Sequence, residues 1–147
     1  MGKRIIVMAV LLLTVTVMPS ISYASGGASD HAYVSNGVSP MWTGMTDYES
    51  DLTISSGKAV CTVLVETTTA KADKVSFSIK LQQYQSGSWK TIDTWSKNIV
   101  PTNDGANFKE SSSISKGFTY RFTGTIKTYK NGTLLDTCSI TSMEKTY

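Results

Sequence analysis

A chain of 147 residues with a formal net charge of +3 and 17% charged side chains is one domain's worth of sequence, without the basic excess that phosphate-binding nucleic-acid partners require. Lys3 and Arg4 belong to a leader, and without them 12 basic residues face 11 acidic ones. What remains is near neutral and dominated by Ser and Thr at its polar positions, which suits solvated strands and turns and equally suits neutral hydrogen-bonding partners such as glycans.

Lys3 and Arg4 precede a 14-residue apolar run, Ile5 to Met18, followed by Pro19 and the small residues Ser22 and Ala24. This three-part pattern predicts a cleavable signal peptide over residues 1–24. The rival reading, a membrane anchor, fails on length, because about 20 residues are needed to cross the hydrocarbon as a helix. The mature chain is therefore expected to be secreted and extracellular, with no membrane span after cleavage. Residues 25–40, SGGASDHAYVSNGVSP, combine Gly and Ser with few apolar groups and read as a flexible lead-in. The folded domain is expected over 41–147.

From Trp42 onward the dominant hydrophobic period is two, the mark of half-buried strands. Trp42, Tyr48, Leu52 and Ile54 share a phase and suggest a first strand broken near Gly44. After a turn at Ser56 and Gly57, KAVCTVLVE is apolar on both faces and reads as a central strand. VSFSIKLQQY alternates Val75, Phe77, Ile79 and Leu81 with polar residues, and a turn at Ser86 and Gly87 leads to a strand from Trp89 to Trp95. A weaker strand is expected near Phe108 to Ile114. GFTYRFTGTIKTY aligns Phe118, Tyr120, Phe122 and Ile126. Asn131 and Gly132 then form a hairpin turn, and the last strand places Leu134, Cys138 and Ile140 in one phase. About seven strands at regular spacing, without helical patterning, predict an all-β fold: a two-sheet antiparallel β-sandwich of immunoglobulin-like character.

Cys61 and Cys138 both lie in the exported part, where two cysteines have one intramolecular pairing and an oxidising compartment permits it. A Cys61–Cys138 disulfide is the expectation, two reactive thiols the alternative. It would differ from the antibody pattern, which joins the second strand to the sixth.

Candidate chemistry is sparse. His31, the single histidine, falls in the lead-in, away from the rigid neighbours that a general base or metal ligand needs. The strand carboxylates Glu66, Asp93, Glu110 and Asp136 are scattered, and nothing in their spacing pairs two for hydrolysis. Asn103, Asp104 and Gly105 read as a turn with too few oxygens for calcium. Asn131 opens an Asn-Gly-Thr sequon that the turn alone explains. The expectation is a non-catalytic protein with no metal and no cofactor.

The stretch YQSGSWKTIDTW is different, with three large aromatics in polar surroundings. A reversal at Ser86 and Gly87 sets Tyr84 across from Trp89, Gln82 from Thr91, Leu81 from Ile92 and Lys80 from Asp93. Facing residues share a side, so Leu81 and Ile92 go inward while Tyr84, Trp89, Lys80 and Asp93 go outward. Trp95 shares the outward phase unless a bulge between Ile92 and Trp95 turns it. Tyr84, Trp89 and Trp95 with Gln82 and Thr91 form a candidate ligand platform for a sugar ring or a protein. The competing reading is a cross-strand pair that only shields the hairpin.

The segments LTISSGKAVC, SFSIKLQQ with GSWKTIDTWSK, and YRFTGTIKTY resemble a family of small secreted proteins of Gram-positive bacteria, a domain family of unknown function. The likeness runs from about Leu52 to the end. It implies a secreted all-β domain in a Gram-positive host and supplies no catalytic residue. The combined expectation is a secreted binding module for a cell-envelope glycan or an extracellular protein. The alternative is a structural protein acting through its strand edges.

Overall fold

The computed structural model describes residues 41–147; the expected leader over 1–24 and the expected lead-in over 25–40, with His31, lie outside the described residues. Eight strands follow one another: β1 (Asp47–Ser55), β2 (Lys58–Glu66), β3 (Lys74–Gln85), β4 (Ser88–Ile99), β5 (Ala106–Ser113), β6 (Thr119–Lys130), β7 (Thr133–Thr141) and the short β8 (Lys145–Thr146). They form two antiparallel sheets, one ordered β1-β2-β5 and the other β4-β3-β6-β7, with β8 pairing β6 beyond the end of β7. Among the described residues the fold is all-β.

Three hairpins close on two-residue turns. Ser56, Ser86 and Asn131 have φ of 49°, 48° and 50°, each followed by a glycine at 78°, 81° and 78°. Positive φ at both central residues is the type I′ turn, whose twist matches that of the strands it joins.

Alternation along the strands supplies the core. Leu52 of β1, Cys61, Val63 and Val65 of β2, and Phe108 of β5 meet Phe77, Ile79 and Leu81 of β3 and Tyr120, Phe122 and Ile126 of β6 in one buried cluster. The Phe77 and Phe108 rings join the sheets, with centroids 5.5 Å apart. Gly124 sits inward on β6 between Ile79 and Ile140. A Cβ there would lie 2.4 Å from the Ser78 carbonyl oxygen and 2.5 Å from Ile79 Cδ1, so the row closes only over a missing side chain. Near the start of β6, the buried Tyr120 donates its hydroxyl to the Ser115 carbonyl at 2.7 Å and accepts the Ser115 N–H at 3.1 Å.

The segment before β1 is fastened to the far sheet. Asp136 of β7, buried, accepts the Thr43 N–H at 2.8 Å, the Gly44 N–H at 2.6 Å and the Thr128 hydroxyl at 2.7 Å. Thr67 donates its hydroxyl to the Gly44 carbonyl, so the two peptide groups flanking this one residue are held by a group that follows β2 and by β7. A Cβ on Gly44 would meet Thr128 Oγ1 at 2.4 Å.

Register and strand bounds differ from the sequence expectation. A bulge at Ile92 shifts the β3–β4 register, so Leu81 faces Asp93 and Lys80 faces Thr94, in place of Ile92 and Asp93. Ile92, expected inward, is the extra residue and is exposed. A second bulge, at Leu135, changes the phase of β7: Leu134 lies opposite Tyr129 and is exposed, while Asp136 takes the buried position opposite Thr128. The break near Gly44 is the Asp136 clamp, and β1 begins after it.

The expected Cys61–Cys138 disulfide is absent; both residues are free thiols. Cys61 enters the core from the central strand β2, whereas Cys138 lies on β7, where Tyr48 of β1 hydrogen-bonds its sulfur. The two thiols thus belong to different sheets, one on a central strand and one on an edge strand, a placement to which parity and compartment are blind.

Candidate binding surface

The hairpin turn at Ser86 and Gly87 fixes the first part of the surface. From the turn to the bulge the pairing is Tyr84 with Trp89 and Gln82 with Thr91, so these four side chains project from the outer face of the second sheet. The Tyr84 and Trp89 rings lie 5.2 Å apart at 59°. Tyr84 is 45% exposed and Trp89 is half-buried.

Strand β6 contributes Arg121. It lies opposite Gln82 in the β3–β6 register and donates from Nε to Gln82 Oε1 at 3.0 Å. Its guanidinium carbon stands 4.1 Å from the Trp89 ring centre, a cation–π contact worth about 0.5–1 kcal/mol at an exposed site. One of its terminal nitrogens, Nη1, lies 3.8 Å from Glu144 Oε1. The indole is thus covered on one side by a cation, and the apolar surface left to solvent is chiefly that of Tyr84. The cluster offers ring faces, one positive charge, an amide and the Thr91 hydroxyl.

Trp95 does not join it. The bulge brings Trp95 opposite Ile79 on the inner side of β4, and its ring packs 6.5 Å from that of Phe108. Arg121, by contrast, is a member that sequence reading misses. The alternation of TYRFTG puts it on the polar side of β6, but only the pairing of β3 with β6 brings it to Trp89.

The candidate carboxylates Glu66, Asp93, Glu110 and Asp136 lie on four different strands. Glu110 forms an ion pair with Lys97 across the β4–β5 edge. Asp93 faces inward on β4, where its charge is felt by Cys61. Burial first, then Asp93, pushes the Cys61 thiol up to about 12. Burial also raises Cys138, offset in part by Tyr48. For Asp136 burial acts upward and is the largest single influence, yet the Thr128 hydroxyl and the amides of Thr43, Gly44 and Met45 together hold its carboxyl below the usual range. Its lone pairs are occupied by structural donors. Glu66 and Asp104 border a shallow pocket of about 340 Å³ with Thr46, Thr67 and Lys71. Asp104 belongs to the 102–105 turn, in which Thr102 and Gly105 exchange backbone hydrogen bonds of 2.9 and 3.2 Å. Among the described residues no three His, Cys, Asp or Glu side chains converge as a metal site would require.

No family model, curated protein or solved structure matches the chain.

Proposed function

We infer that the protein is a secreted, non-catalytic binding module whose ligand, a cell-envelope glycan or extracellular protein, docks on the outer face of the five-stranded sheet. The Tyr84–Trp89–Arg121 cluster carries this reading. Two rings and a guanidinium held at fixed spacing on rigid strands supply contact area at little entropic cost, with Gln82 and Thr91 beside them as hydrogen bonders. The non-catalytic part of the reading rests on the spread of Glu66, Asp93, Glu110 and Asp136 over four strands and on the shallowness of the pocket that Glu66 and Asp104 border.

The same reading takes the two sheets as an immunoglobulin-like sandwich. The strand order β1-β2-β5 against β4-β3-β6-β7 and the Tyr120 hydroxyl bound to backbone five residues upstream are features that such domains share. Tyr120 stands two residues before the place where antibody domains carry their second core cysteine. Phe122 fills that place here, consistent with an unpaired Cys61. The kinship with secreted Gram-positive proteins belongs to this proposal, and the segments that resemble them fall on β1 through β4 and β6.

The edge-pairing alternative has less support. Strand β4, one edge of the larger sheet, carries a bulge at Ile92 and an inward-pointing Asp93, both devices that discourage strand addition. Affinity electrophoresis of the protein through gels containing neutral or acidic polysaccharides tests the proposal, with Tyr84→Ala and Trp89→Ala as controls. Retardation by at least one polysaccharide that both variants lose is the expected result. Retardation unchanged in both would refute the platform.

A further inference from the structure

The two outer faces differ in charge: that of the first sheet mixes signs, with Lys58, Lys109 and Glu66 in the same outward phase as the β1 carboxylates, whereas the strand rows of the second carry cations. On β1, Asp47, Glu49 and Asp51 alternate with the buried Ser50 and Leu52 and so lie on the outer face of the first sheet. On the second sheet the register builds successive outward rows along β3. Gln82 lies between Thr91 and Arg121, Lys80 between Thr94 and Thr123, Ser78 between Ser96 and Thr125, and Ser76 between Asn98 and Lys127; Lys74 then faces Tyr129. Every charged side chain in these rows is a cation. The small serines of the central strand leave a shallow trough of about 300 Å³ bordered by Ser96, Asn98, Lys127 and Tyr129. At its far end the Lys74 ammonium stands 4.0 Å from the Tyr129 ring centre, a second aromatic–cation pair that mirrors Trp89 and Arg121.

We propose that this face binds an acidic heteropolysaccharide, a chain in which carboxylate-bearing sugars alternate with neutral ones, lying along β3 from Tyr84 to Tyr129. The inference rests on the binding-module reading above and adds the ligand class and a second aromatic subsite. The ten steps from Tyr84 to Lys74 span roughly 33 Å at about 3.3 Å per residue, enough for several sugar rings. Four cations over that length are far fewer than the phosphates of a nucleic-acid strand, which recur about every 3.4 Å. Intermittent charge separated by hydroxyl and amide rows suits a polymer with intermittent carboxylates and many neutral hydroxyls. Rings at both ends can stack on pyranose faces, and the guanidinium of Arg121, held by Gln82, can exchange its long 3.8 Å contact with the exposed Glu144 for a ligand carboxylate.

The test is calorimetric titration of the protein with a hyaluronan octasaccharide, in which every second ring is a uronate, against its carboxyl-reduced neutral form and against dextran sulfate. The variants are Lys80→Gln with Lys127→Gln, Tyr129→Ala and Trp89→Ala, each checked for an unchanged melting profile. Expected are binding of the octasaccharide, at least tenfold loss on carboxyl reduction, and at least tenfold loss in the double lysine variant and in Tyr129→Ala. Equal binding of the neutral form, with loss only in Trp89→Ala, overturns the acidic-ligand inference and leaves the platform reading standing. Dextran sulfate binding as tightly, indifferent to Tyr129→Ala, overturns it as mere charge attraction. Failure of every saccharide, charged or neutral, overturns the inference together with the glycan form of the reading beneath it.

Discussion

The buried carboxylate of Asp136 and the backbone of Gly44, 92 positions apart in sequence, meet through a 2.6 Å hydrogen bond that ties the segment before β1 to β7. Asp136→Asn removes the charge and turns one acceptor into a donor aimed at existing donors. A loss of about 2 kcal/mol is expected at neutral pH, in the range of hydrogen bonds to charged groups. The folded-state pKa lies below its ordinary 3.8, so the native state binds its proton less readily than the unfolded chain. The stabilisation is therefore fully present above that value and is lost as pH falls through the folded pKa. Urea unfolding of both proteins from pH 7 to pH 2.5 should show a constant gap that closes only in the acid range. A gap independent of pH would contradict the clamp.

Gly124→Ala tests the close approach of β6 to β3. A Cβ 2.4 Å from a backbone oxygen has no flexible neighbour to displace, and overpacking of this kind costs about 1–3 kcal/mol or more. Gly132→Ala is the companion, because space around that Cβ is open and only its positive φ of 78° resists. Thermal melts should rank Gly124→Ala well below the companion. Equal effects would mean that the strands are not packed as described.

The thiols answer a question of covalent structure. Cys61, buried and raised to about 12, is expected to resist a thiol reagent in the folded protein, because the thiolate is the reactive form. Denaturation without reductant should release two reactive thiols per chain. None released would restore the disulfide.

Trp89 and Trp95, both half-buried but on opposite faces of β4, should report different environments. In variants that keep one indole each, Trp95 emission should be the bluer and the less accessible to acrylamide. Arg121→Gln should increase quenching of Trp89 alone, since the guanidinium covers that ring at 4.1 Å. An unchanged Trp89 would mean that the contact does not persist in solution.

Much of the fold was legible because β strands write their burial into period two. Val75, Phe77, Ile79 and Leu81 announce β3, the two apolar faces of KAVCTVLVE announce a central strand, and three Xaa-Gly pairs announce the hairpins. The bulges were not legible. A single extra residue at Ile92 or Leu135 leaves composition untouched but reverses every side chain beyond it, which is why Trp95 and Leu134 changed faces. Half of the candidate surface could be read from one hairpin. The remainder, Arg121 and the Lys127–Tyr129 side, depends on β3 pairing with β6, a neighbour far along the chain that no local pattern names.

Amide chemical-shift mapping tests the central claim most directly: the ¹⁵N-labelled protein is titrated with the hyaluronan octasaccharide and perturbations are placed on the two sheets. The expected result is a continuous stripe on β3, β4 and β6 running from Tyr84 and Trp89 through Lys80 to Lys127 and Tyr129, with β1, β2 and β5 silent. Perturbations gathered on the β1-β2-β5 face, or none at saturating saccharide, would contradict it.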